Sequence, residues 1–198
     1  EKSMIMKYTR LSSSVHMRTT INYVIDRDEL QLHECIGEGA FGTVHKGTWR
    51  QISVAVKQVK GLDHDAQQQL IDEVLHLAAL RPHDHVVQLF GVVTDVLMVV
   101  LKYCDHGPLD AALYGSVPMS LSDAQLLAIV IGAAKGICHL HRERIVHRDV
   151  AARNVLLDTS DLIARVTDFG MSRRYASTSS QLLPPMFTTT TSAAARGA

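Results

Sequence analysis

The sequence is poor in several features that would otherwise classify it. Its 198 residues hold three cysteines, Cys35, Cys104 and Cys138, odd in number and far apart. That fits neither a disulfide framework nor the ligand spacing of a zinc site, and it points to a reducing compartment. Charge of one sign is not in excess: 20 basic and 20 acidic side chains cancel. No whole-chain field therefore exists to draw in nucleic acid or an anionic membrane, and nucleic acid is not expected as a partner. The longest uninterrupted apolar stretch, Leu126 to Ala134 with Gly132 inside it, falls far short of a membrane span. Glu1 to Thr20 lacks the apolar segment of a secretory signal. Apolar residues as a class are plentiful at 46%, which excludes disorder along the whole length and permits one or two domains with a sizeable core.

Composition divides the chain. Residues 1–26 read as a leader or linker, with four basic side chains and Ser12-Ser13-Ser14 before apolar residues become frequent. From Leu32 to Val59 the pattern is strand-like, with Val54 and Val56 on one face, Ala55 and Lys57 on the other, and a hairpin turn at Thr48–Gln51. Residues 66–80 switch to helical spacing, with Leu70, Val74 and Leu77 on one stripe, Asp63 or Asp65 as cap, and Arg81-Pro82 as the stop. Two apolar strands are predicted at Val86–Val93 and Val96–Leu101, and Gly107-Pro108 punctuates the chain after them. A long helix then buries Leu126, Ile129, Val130, Ala133, Ile137 and Leu140. Sheet first and helix second suggests two lobes joined near Lys102–His106. Residues 171–198 contain ten Ser or Thr and no acid, and read as a disordered tail.

Three motifs carry chemistry. Gly37-Glu38-Gly39-Ala40-Phe41-Gly42 suits several phosphate-binding templates. Thr43 and Val44 in place of Lys and Ser/Thr exclude the Walker loop, and the strands around it disfavour a dinucleotide fold. A glycine loop between two strands remains, beside the plainer reading of a glycine-rich hairpin. Val54-Ala55-Val56-Lys57 puts a lysine on a valine-rich strand, and Glu73 shares the side of Leu77 on the helix. Alone, both would be solvated charges; paired, they would fix a positive point for phosphate oxygens. The strongest signal is His147-Arg148-Asp149-Val150-Ala151-Ala152-Arg153-Asn154, followed by Asp168-Phe169-Gly170. A carboxylate base, an amide and a second carboxylate supply a hydroxyl activator and two hard oxygen ligands of the kind Mg²⁺ prefers. The eleven histidines, among them His83, His85, His139 and His141, lack the spacing of a zinc helix and read as scattered surface residues.

Taken in order, these elements make the chain resemble a eukaryotic protein kinase domain over residues 27–170. The loop Asp149–Asn154, with Ala at 151 and Arg153, is similar to the tyrosine kinase and tyrosine-kinase-like group. The resemblance implies an α+β, bilobal fold with an N-lobe at 27–102, an antiparallel sheet plus one helix, and a partial helical C-lobe at 103–170. It implies that Gly37, Gly39 and Gly42 cover the phosphates of ATP and that Lys57, paired with Glu73, holds the α- and β-phosphates. Asp149 would accept the substrate hydroxyl proton, Arg153 would help to position the acceptor, and Asn154 and Asp168 would bind Mg²⁺. Adenine would lie between Ile36, Val44 and Ala55 above and Leu156 below, with Leu101 as gatekeeper and the backbone of Lys102 and Cys104 bonding the base. Leu77, Leu89, His147 and Phe169 resemble the regulatory spine.

The resemblance weakens after Gly170, where no Ala-Pro-Glu motif or further lobe-building helix is recognisable and Leu183-Pro184-Pro185 is no substitute. With Glu1 rather than Met at its start, the chain is expected to be a processed product or a piece of something longer, cytoplasmic or the intracellular part of a longer protein. Two functions are compatible with these residues: a kinase using Mg-ATP on protein hydroxyls, or a shortened chain that binds nucleotide or partners without transfer. Tyr175 is a further candidate, for phosphorylation.

Overall fold

The computed structural model describes residues 24–39, 42–59, 64–159 and 161–175. The leader before Val24, Asp63, the glycine-loop tip at Ala40-Phe41 and the tail beyond Tyr175 lie outside the described residues.

Alternating apolar residues build the upper lobe. Strands β1 (Leu30–Gly39), β2 (Gly42–Trp49), β3 (Ile52–Val59), β4 (Leu89–Val93) and β5 (Met98–Lys102) form one antiparallel sheet in the order β1-β2-β3-β5-β4. Because strand side chains alternate between faces, Val54, Val56 and Val100 pack on one side with Ile25, Leu30 and Met98. Ala55, Val99 and Leu101 face the other side, where helix α1 (His64–Ala78) lays down Leu70, Val74 and Leu77. The hairpin turns at Arg50-Gln51 as predicted, both residues with positive φ.

Several boundaries differ from expectation. Val24–Asp26, assigned to the leader, join the fold: Ile25 N–H donates to the Val92 carbonyl at 2.8 Å and Asp26 caps a 3-10 turn at Arg27–Glu29. Val86 and Val87 leave the predicted strand because their backbone is engaged by the lower lobe, with Val87 N–H donating to Val166 at 2.9 Å. Val96 falls in a turn with Leu97, whose φ is 42°.

The lower lobe contains α2 (Leu109–Tyr114) and the long α3 (Asp123–Arg142). Ser122 and Gln125 form a reciprocal capping box at the start of α3. Val130, predicted to be buried, is 62% exposed. The inward face is instead carried by Ile129, Gly132, Gly136 and Leu140. A Cβ at Gly136 would stand 2.3 Å from the His85 carbonyl oxygen, so only glycine lets the helix approach that strand connection. By length and composition alone α3 is long and apolar enough to cross a membrane, although charged and polar residues interrupt its apolar run. Here it is packed against the lower lobe's strands. Its other face leaves Leu127, Val130 and Ile131 exposed.

Short strands missed by periodicity complete the lobe: β6 (Gly107–Pro108), β7 (Ile145–Val146), β8 (Val155–Asp158), β9 (Ile163–Val166) and β10 (Arg173–Arg174). Met171–Tyr175, placed in the disordered tail by composition, are ordered. β10 pairs with β7, and Ser172 is fully buried. Hydrogen-bonding partners elsewhere in the chain hold this segment, which composition cannot register. The lobes are fastened along one edge. Asp158, 1% exposed, pairs with Lys102 at 3.2 Å and Arg165 at 2.9 Å, and Arg81 pairs with Glu143 at 2.7 Å.

Candidate active site

Strand β3 delivers Lys57 to the sheet's lower side, and α1 delivers Glu73 from above the core. The Lys57 ammonium lies 2.6 Å from Glu73 Oε2 and 3.5 Å from Asp168 Oδ1. Glu73 is 2% exposed. Burial works against the Lys57 charge, but Glu73 and Asp168 outweigh it and hold the amine above its ordinary pKa. A cation fixed between two carboxylates results.

Below it, a turn of 3-10 helix at Ala152–Asn154 folds the catalytic-type loop back on itself. Arg153 Nη2 donates to Asp149 Oδ1 at 2.7 Å, and Asn154 Nδ2 donates to Asp149 Oδ2 at 2.9 Å and to its carbonyl at 2.8 Å. The Arg153 and Asn154 bonds hold the Asp149 carboxyl below the usual range, so it stays ionised. Since Asn154 spends its amide hydrogens on Asp149, its amide oxygen is left to act as a hard donor.

The two halves are joined by residues of different legibility. His147, fully buried, donates from Nε2 to the Thr167 carbonyl at 2.8 Å and accepts the Asp149 N–H at Nδ1 at 3.3 Å. Its ring meets Phe169 at 5.4 Å, and Phe169 packs with Leu77 and Leu89 in the core. Thr167 was not foreseen. It acts through its backbone, donating to the Asn154 carbonyl at 3.0 Å, and no side-chain pattern advertises that. Asp168 itself has φ 61°, a left-handed conformation that turns its carboxylate toward Lys57 and the Gly170 N–H.

The sequence itself matches known proteins. The family model described as protein tyrosine and serine/threonine kinase matches residues 30–190. The chain belongs to the protein kinase family. The match runs past Gly170, where the sequence resemblance faded, and its final part lies outside the described residues. Tyrosine-protein kinase csk-1 of Caenorhabditis elegans is 37% identical over 158 residues, covering 79% of this chain and 29% of that protein. Tyrosine-protein kinase sid-3 of the same organism is 34% identical, covering 76% and 12%. Receptor-like protein kinase THESEUS 1 of Arabidopsis thaliana is 40% identical, covering 70% and 17%. The kinase chain thus spans less than a third of the length of these relatives.

The remaining predicted residues of this kinase fall on the sheet and the hinge. Gly37 pairs with Val44 and Gly39 with Gly42 across β1 and β2, while Ala55 pairs with Leu101 across β3 and β5. Ile36 is 44% exposed on β1, and Leu156 sits on β8 between Pro108 and Arg165. The Lys102 N–H donates to Gln88 at 2.9 Å, and the Cys104 carbonyl accepts from Gly107 at 3.2 Å. Burial, with help from Asp158, pushes the Cys104 thiol up to about 12, so the hinge sulfur is no nucleophile. Three of the histidines come together: His83 stacks on His139 at 4.5 Å and approaches His85 at 5.7 Å. Among the described residues no cluster of three His, Cys, Asp or Glu side chains is arranged to hold a metal.

Proposed function

We propose that this chain is the catalytic portion of a protein kinase, covering residues 27–170, that binds ATP with Mg²⁺ and moves the γ-phosphoryl group to a protein hydroxyl. The observation that carries the reading is the convergence of Lys57, Glu73 and Asp168 in one ion-paired cluster above an ionised Asp149. Phosphoryl transfer needs positioning and charge neutralisation more than covalent chemistry, and these side chains supply both. Lys57, held by Glu73, grips the α- and β-phosphates, and Gly37, Gly39 and Gly42 let the backbone approach them. Ile36, Val44, Ala55 and Leu156 enclose the adenine beside the gatekeeper Leu101. Since the Lys102 N–H is already bonded to Gln88, the base uses the Lys102 carbonyl, together with the Cys104 N–H.

Asn154 and Asp168 offer oxygen donors only, which suits Mg²⁺; the bound ion neutralises phosphate charge. Asp149 orients the acceptor hydroxyl and takes its proton. Arg153, bonded to Asp149, stands where it can position the acceptor, and we assign tyrosine before serine or threonine on that basis. Use of ATP and a reduced hinge cysteine agree with a site inside the cell.

The test is incorporation of labelled phosphate from Mg-ATP into separate tyrosine and serine/threonine peptide mixtures. Transfer is expected, and Lys57→Met or Asp168→Asn lowers it by a hundredfold or more, following about 3 kcal/mol for one charge-stabilising group. Nucleotide binding without transfer would instead support a binding module, and undiminished transfer in both variants would remove the assignment.

A further inference from the structure

Ser172, two residues beyond Gly170, is completely buried, and its Oγ makes two short contacts: 2.6 Å to His76 Nδ1 and 2.7 Å to the Phe169 carbonyl oxygen. The Ser172 N–H donates to the same carbonyl at 2.9 Å. A hydroxyl carries one hydrogen, whereas a carbonyl oxygen has two lone pairs. If that hydrogen pointed to His76, the 2.7 Å approach of two oxygens would be an unbridged repulsion. Both contacts are hydrogen bonds only when the imidazole donates from Nδ1 and the serine donates onward to Phe169.

We infer that His76 and Ser172 are positioning residues for phosphoryl transfer, a latch in which His76 Nδ1–H, Ser172 Oγ–H and the Phe169 carbonyl tie helix α1 to the segment bearing Asp168. His76 stands one turn beyond Glu73 on α1 and next to Leu77, so the latch fixes the helix that supplies the Lys57 partner. At its other end it fixes the residue immediately after Asp168. The 2.6 Å and 3.5 Å ion pairs of Lys57 are thereby set against each other by a connection that touches neither. Burial first, then Arg174 and Arg173 against the opposing Asp72, lowers the His76 pKa, so the ring is neutral near pH 7 and its single proton sits on Nδ1. The latch rests on the kinase reading for its purpose but not for its geometry.

The experiment uses the full chain. Long-range ¹⁵N–¹H spectra of histidine-labelled protein are expected to show His76 as the Nδ1–H tautomer; an Nε2–H tautomer overturns the latch. Mg-ATP affinity is then compared by calorimetry, after each variant is shown to unfold cooperatively. His76→Leu and Ser172→Ala are each expected to weaken binding at least fivefold, their double variant no more than the singles. His76→Asn, which keeps a donor near Nδ1, stays within twofold of the parent. Equal affinities throughout, or His76→Asn as weak as His76→Leu, overturn the proposal. Should Ser172→Ala not fold, the Asn and Leu pair at position 76 decides. If the parent itself binds no Mg-ATP, the kinase reading fails, and the tautomer alone judges the latch.

Discussion

The two acidic centres of the site are built on opposite plans. Asp149 meets Arg153 and Asn154 four and five residues along the chain, in a turn half open to solvent. Lys57 meets Glu73 and Asp168 across 16 and 111 residues, with the Glu73 carboxylate sealed in the core. A local cluster costs little chain entropy to assemble and survives on its own turn. A long-range cluster exists only when both lobes are folded around it. The first can tune an acid independently of the fold; the second makes the site's charge balance part of the fold's stability.

Removing one partner from each centre should separate them most widely. Lys57→Met leaves a buried, unpaired Glu73 carboxylate and is expected to cost about 3 kcal/mol in urea unfolding, the low end for a broken buried pair because Lys57 is a quarter exposed. Asp149→Asn, at a pair whose arginine is largely in solvent, is expected to cost far less stability while still removing transfer. Equal losses would erase the distinction.

The fastening between the lobes gives the next effect. Gly136→Ala forces a methyl to 2.3 Å from the His85 carbonyl and 2.9 Å from Val166, and should destabilise the chain by about 1–3 kcal/mol in the same measurement. A neutral result would show that α3 does not press on that connection.

The pH profile sharpens the local side. Arg153 and Asn154 favour ionised Asp149, lowering its pKa from the ordinary 3.8. Its contribution is therefore present at neutral pH and disappears only as pH falls through that depressed value. Arg153→Ala should move the acid limb of the transfer rate upward; an unmoved limb would mean that the bond to Asp149 does not set its ionisation. The smallest effect is a control on the hinge. At about pH 8 a maleimide should label Cys35 and Cys138, which are exposed, and spare Cys104. Labelling of all three would show that the hinge opens.

How much of the molecule was legible in its sequence obeys the same division. The Asp149-to-Asn154 loop could be read because its residues meet at fixed short spacing. Val54 to Lys57 could be read because strand alternation assigns faces without knowledge of a partner. Val130 was misplaced because a helical stripe fixes a face but not its width, and two glycines rotated the buried side toward 132 and 136. Ser172 looked like tail because composition averages over neighbours, whereas its partners include a histidine 96 residues earlier and its segment pairs with a distant strand.

The sequence by itself determined the family, the α+β order of elements and the identity of the charged groups, since all three are written in residue type and local spacing. Only the tertiary structure decided that Lys57, Glu73 and Asp168 share one cluster, that Thr167 bridges its two halves, and that α3 turns Val130 outward. Those facts depend on packing between distant segments, where backbone bonds and excluded volume, not residue type, select the arrangement.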